Sequence, residues 1–174
     1  NSALDAVITI DAWGRVIDWN PRAESIFGWT AGEIIGMNLA DTIIPPAYRE
    51  AHLRGLHSFS TNSSGQILNR RIEITGLRRD GSEFPIELAI TALRTDEQVT
   101  FTAFVSDISA RKQAIEALRS LSTFQKAMLD NAGHAIISTR PDGIIQVFNP
   151  AAESLLGYRA EDMIGKQTPA AFHD

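Results

Sequence analysis

His52 and His57 are the side chains best suited to holding a metal or moving a proton near neutral pH, because an imidazole titrates there and ligates through either ring nitrogen. Their spacing works against a shared site. Metal hydrolases favour two histidines four residues apart on one helical face. Five apart, at about 100° per residue, they diverge by about 140° around the helix. Nucleophilic chemistry fares no better. The absence of cysteine excludes thiolate ligands, disulfides and cysteine nucleophiles. No Gly-x-Ser-x-Gly elbow and no glycine-rich phosphate loop is present. Asn20 and Glu24 read as a helix cap and a helix-face carboxylate, and Arg70, Arg71, Arg78 and Arg79 as a solvated strand and turn. Trp13 reads as part of an exposed turn, with Trp19 and Trp29 at the core or a pocket edge. The residues describe a binding or regulatory chain, with no catalysis of its own.

A net charge of −5 argues against a nucleic-acid surface, which needs a basic excess. No long uncharged apolar run is present, so no membrane insertion is expected. No basic stretch followed by an apolar one marks a secretion signal, and with no cysteine for disulfides a cytoplasmic setting is the expectation. The chain opens on Asn1 rather than methionine, as an excerpt of a longer protein would.

The elements at the start of the chain, which carry Asn20 and Glu24, occur twice. "DWNPRAESIFGW" at 18–29 returns as "VFNPAAESLLGY" at 147–158, and residues 3–38 align on 132–167 without a gap. In the first copy, 6–11 and 16–19 read as short strands around a turn at Gly14. Asn20 is an N-cap with Pro21 at the first helical position, and the helix through Ala23, Ile26 and Phe27 stops at Gly28. Thr30 to Glu33 is a capping box for a second short helix ending at Gly36. Residues 45–60 read as a third helix with Leu53 and Leu56 at helical spacing. Beyond it the period becomes two. Ile67, Ile72, Ile74 and Leu77 bracket one strand, Asp80-Gly81 makes a hairpin turn, and Phe84, Ile86, Leu88 and Ile90 alternate along the next strand. A last strand runs from Val99 to Ile108 after a turn at 95–97. These elements make an α+β domain.

Residues 107–131 contain no proline or glycine and are rich in helix formers. Ala114, Leu118, Leu121, Gln125 and Met128 are spaced 4, 3, 4, 3, as in a coiled-coil seam. The alternative is an amphipathic connector packed on its own domain. The second copy stops short of the third helix and the last three strands.

Asn20-Pro21 with Ala23-Glu24, Gly28-Trp29, Glu33 to Gly36, Arg79 to Ser82, and Phe104 to Ile108 followed by Arg111-Lys112 resemble the PAS domain family. The resemblance implies a five-stranded antiparallel sheet in order 2-1-5-4-3 flanked by short helices, with a connector helix behind it. It divides the chain into a complete PAS domain at 1–108, a connector at 109–130 and the N-terminal part of a second PAS domain at 131–174. It further implies a sensory or dimerisation module of a bacterial signalling protein, forming a homodimer and feeding an output domain in the same chain. That output would be a histidine kinase, a cyclic-di-GMP cyclase or phosphodiesterase, or a transcription regulator.

By the same resemblance a ligand would lie between sheet and helices, against Ile26, Phe27, Ile35, Leu56, Ile72, Ile74, Leu88, Phe101 and Ala103; alternatively these side chains simply fill the core. The family's haem-binding oxygen sensors carry their axial histidine 28 residues before the hairpin aspartate, the separation of His52 from Asp80. Arg70 and Ile72 fall at those sensors' distal positions, where an arginine or methionine stands. Against haem, the stretch containing His52 also reads as the exposed side of an ordinary helix. Cysteinyl-flavin photochemistry is excluded for want of a cysteine, and a non-covalent flavin stays open. A ligand-free dimerisation scaffold is the third reading.

Overall fold

The structure, a computed structural model, describes residues 5–62, 70–94 and 98–172. Alternation along β1 (Ala6–Asp11) puts Ala6, Ile8 and Ile10 on one face, and all three are buried. The chain turns at Gly14, whose φ of +81° suits glycine, and returns antiparallel as β2 (Val16–Trp19). Asn20 then caps α1 (Pro21–Phe27) by accepting a hydrogen bond from the Ala23 N–H. Gly28, in the left-handed region at φ +79°, ends it. The Thr30–Glu33 capping box opens α2 (Ala31–Ile34) as expected.

A further short helix was not legible in the sequence: α3 (Leu39–Thr42), capped by Asn38. Next come α4 (Pro46–Asn62), β3 (Arg71–Leu77), β4 (Glu83–Arg94) and β5 (Val99–Asp107). The expected turn at 95–97 and Ile67 lie outside the described residues. The β3–β4 turn is held by Asp80, whose Oδ1 accepts from the Ser82 N–H at 2.9 Å, with Gly81 at φ +85°.

The first five strands form one antiparallel sheet in order β2-β1-β5-β4-β3. Closure comes from β5 pairing with β1 from Ala6↔Val105 to Asp11↔Thr100. Helices α1 to α3 cover its inner face. Trp19, Phe27 and Phe84 pack in sequence there, with ring centroids 5.6 and 5.5 Å apart.

After the sheet, α5 (Ser109–Asp130) runs unbroken for 22 residues. The second copy then repeats the opening of the first: β6 (Ile137–Thr139), β7 (Ile145–Phe148), α6 (Pro150–Leu156), α7 (Ala160–Met163) and a 3₁₀ turn at Pro169–Phe172. Ile145, Phe148, Ala152 and Met163 bury one another in a small core of their own. The chain divides into two compact units, Asn1–Lys112 and Gln113–Asp174, with the boundary inside α5.

Candidate functional site

The strand register aligns the inner face of the first sheet into rows. Ile72, Leu88, Val105 and Ala6 stand side by side, as do Ile90, Ala103 and Ile8, and then Ala92, Phe101 and Ile10. Leu88, Phe101, Val105, Ile8 and Ile10 are buried, yet Ile72, Ile90, Ala92 and Ala103 of the same face are only half-buried. Solvent therefore reaches the inner face on the β3–β4–β5 side.

Of the expected wall residues, Ile26, Phe27, Leu88 and Phe101 are buried in the core, while Leu56, Ile72 and Ala103 pack partly buried against it. Two sit elsewhere. Ile35 is 51% exposed, and its neighbour Ile34 is the fully buried residue, because α2 is a single turn and presents position 34 to the core. Ile74 shares the inner face with Ile86 by register, but it lies on the edge strand and is 40% exposed.

From 45 to 58 only Pro45, Arg49, His52 and Leu56 are buried or half-buried, spaced 4, 3, 4. The inward side of α4 thus includes His52, contrary to its reading as part of a surface-facing stretch. Leu53, expected to pair with Leu56, is exposed. His52 Nδ1 is buried without a hydrogen-bond partner. Burial pushes the imidazole below its ordinary value, so the ring is neutral at pH 7 and able to act as a ligand. Trp29 Nε1 is the other unpartnered buried side-chain polar atom among the described residues. His57 and Arg70 are exposed, and Ile72 faces the core.

Arg78 and Arg79 are not the solvated pair the sequence suggested. The Arg78 guanidinium donates to the Ile26 carbonyl at the end of α1, pairs with Asp107 Oδ2 at 2.6 Å and lies 3.6 Å over the Phe84 ring. Arg79 donates its backbone N–H to the Phe27 carbonyl, pairs with Glu33 at 2.7 Å and covers Trp29. A shallow cavity of about 480 Å³ bounded by Ser25 to Gly28 and Arg78 to Asp80 lies beside them. Its guanidinium groups are already engaged.

Asp107 carries this cluster into α5. Its Oδ1 accepts from the Ser109 N–H at 2.8 Å, at the first turn of the helix. Partial burial pushes its carboxyl up, but the Ser109 hydrogen bonds and the Arg78 guanidinium outweigh that and hold it below the usual carboxylate range. Arg111 and Lys112 then pair with Glu73 of β3 at 3.0 and 2.8 Å. From there onward α5 has no buried residue. Ile115, Leu118, Leu121, Phe124 and Met128 stand out from it, the last four more than 60% exposed. No helix among the described residues is long and apolar enough to cross a membrane.

Comparison with known proteins agrees with this geometry. A family model described as the PAS fold matches residues 1–108 and 123–174. Sensor protein FixL of Bradyrhizobium diazoefficiens is 33% identical over 119 residues, covering 68% of this chain and 23% of FixL. Oxygen sensor protein DosP of Escherichia coli is 25% identical over 160 residues, covering 92% of this chain and 19% of DosP. The chain thus spans about a fifth of the length of these relatives. The PAS domain of a Colwellia psychrerythraea protein superposes on 62% of this chain and 89% of its own, with a TM-score of 0.52 at 23% identity.

Proposed function

The chain belongs to the PAS family, and we propose from that premise that it is the sensory input of a longer cytoplasmic signalling protein. A small molecule or partner shifts the packing of the first sheet and its helices, and α5 passes the shift on through a homodimer. The output is a histidine kinase or a cyclic-di-GMP enzyme in the same chain; this segment itself does no catalysis. The working division is a PAS domain at 1–108, a relay at 109–130 and a second PAS segment from 131.

One observation carries this reading. Helix α5 is anchored at its root through Asp107 to Arg78 and the end of α1, yet beyond the root its apolar side chains are uncovered. Leu118, Leu121 and Met128 repeat at 3 and 7 residues, the spacing a second copy of the same helix would fill. Size-exclusion chromatography with light scattering tests it. The wild type is expected to be dimeric and Leu121→Asp to shift toward monomer with its helical circular dichroism retained. A wild type that stays monomeric at high micromolar concentration would overturn the relay. If the dimer forms but no metabolite raises its melting temperature, the chain is a ligand-free scaffold.

The unpartnered Nδ1 of His52 favours a second reading, a haem-based oxygen sensor. His52 would supply the axial imidazole, with Ile72 on the other wall. A bound haem would add reversible coordination of a diatomic gas. The similarity to a protein named as an oxygen sensor supports this reading, and the exposure of Arg70 weighs against a distal role for that residue. An absorption spectrum after adding haem decides it: a Soret band lost in His52→Ala supports the reading, and no band in the wild type removes it.

A further inference from the structure

Asn20 and Asn149 occupy the same place in the two copies, and their side chains do nearly the same work. Asn20 Oδ1 accepts from the N–H groups of Val7 and Ala23, at 3.0 and 2.9 Å, and its Nδ2 donates to the Asp5 carbonyl at 3.2 Å. Asn149 Oδ1 accepts from Ile136 and Ala152, at 2.8 and 3.0 Å, and its Nδ2 donates to the His134 carbonyl at 3.0 Å. The second copy adds one bond. Asn149 Nδ2 also donates to the Leu129 carbonyl at 3.0 Å, in the last turn of α5. Carbonyls at a helix C-terminus lack intrahelical donors and concentrate the negative end of the helix dipole, so a buried amide donor there is a firm attachment. Asn149 is 3% exposed, and all four hydrogen bonds meet at this one side chain.

We propose that Asn149 is the positioning residue through which α5 is coupled to the second PAS segment. One amide ties the end of α5, the approach to β6 and the first turn of α6. A displacement of the last turn of α5 then pulls on the amide that caps α6 and on the backbone entering β6. The argument rests on α5 being the relay, but its test is read within one chain and does not depend on dimerisation.

Asn149→Asp separates the roles. The carboxylate keeps both acceptor bonds, including the cap of α6, but loses both donor bonds and puts a negative charge beside the helix C-terminus. Hydrogen exchange by NMR is expected to quicken about five- to tenfold for the amides of Met128 to Ala132, with the amides of Ile145 to Gly157 still protected. Asn20→Asp, the control, should leave α5 unchanged. Coupling is read by adding Ala127→Gly, which loosens the last turn of α5. In the wild type this should also quicken exchange at Ile136 and Ala152; in Asn149→Asp it should not. If N149D unfolds the second unit, Asn149→Ser, which still caps α6 but is too short to span to Leu129, is read the same way. Unchanged exchange at 128–132, or coupling that survives loss of the amide, would overturn the proposal.

Discussion

The folded chain holds the His52 imidazole neutral by burying it, whereas the unfolded chain protonates it near the ordinary value of 6.5. Below that pH the unfolded state takes up a proton that the native state refuses, so stability falls as pH drops through 6.5 and is fully present above it. Urea midpoints between pH 5 and 8 are expected to show this loss in the wild type and a flatter profile in His52→Leu. An equally steep loss in H52L would exclude His52 as its source. Arg78 is the other decisive residue. Arg78→Ala leaves the Asp107 carboxylate and the Ile26 carbonyl without their partner and should cost about 2 kcal/mol in chemical denaturation. Neither role was legible locally. The partners of Arg78 lie 29 and 52 residues away, and the inward side of α4 carries the polar Arg49 and His52 ahead of Leu56, so hydrophobicity marked only Leu56 on that side.

At the scale of elements the sequence was most readable where a rule is local. The Asn20 cap, the Thr30–Glu33 box, the Asp80-Gly81 turn and the Phe84-Ile86-Leu88 alternation each depend on neighbours within four residues, and each occurs as read. The failures are single turns. Helix α2 is too short for its phase to be inferred, so Ile35 was taken for the buried Ile34, and α3 has no periodicity to detect. Asn20→Ala removes the cap of α1 together with the bonds to Val7 and Asp5, and should cost about 2 kcal/mol, at the upper end for an N-cap. Thermal melts of the chain check this. A loss within experimental error would mean that the repeated asparagine is not what ties β1 to α1.

At the scale of the whole molecule, periodicity gave the number and type of strands but not their order. The order 2-1-5-4-3 came from the family resemblance, and the pairing of β1 with β5 confirms it. Sequence could not choose between α5 packed on its own domain and α5 as an outward seam, because both demand the same amphipathic pattern. The uncovered apolar face of α5 favours the outward seam. Because the chain has no cysteine, single-cysteine cross-linking reads that seam without background. Leu121→Cys is expected to form a disulfide-linked dimer rapidly under mild oxidation, while Arg119→Cys, on the opposite face, stays largely monomeric. Equal cross-linking at both positions, or none at either, would contradict a relay built on paired α5 helices.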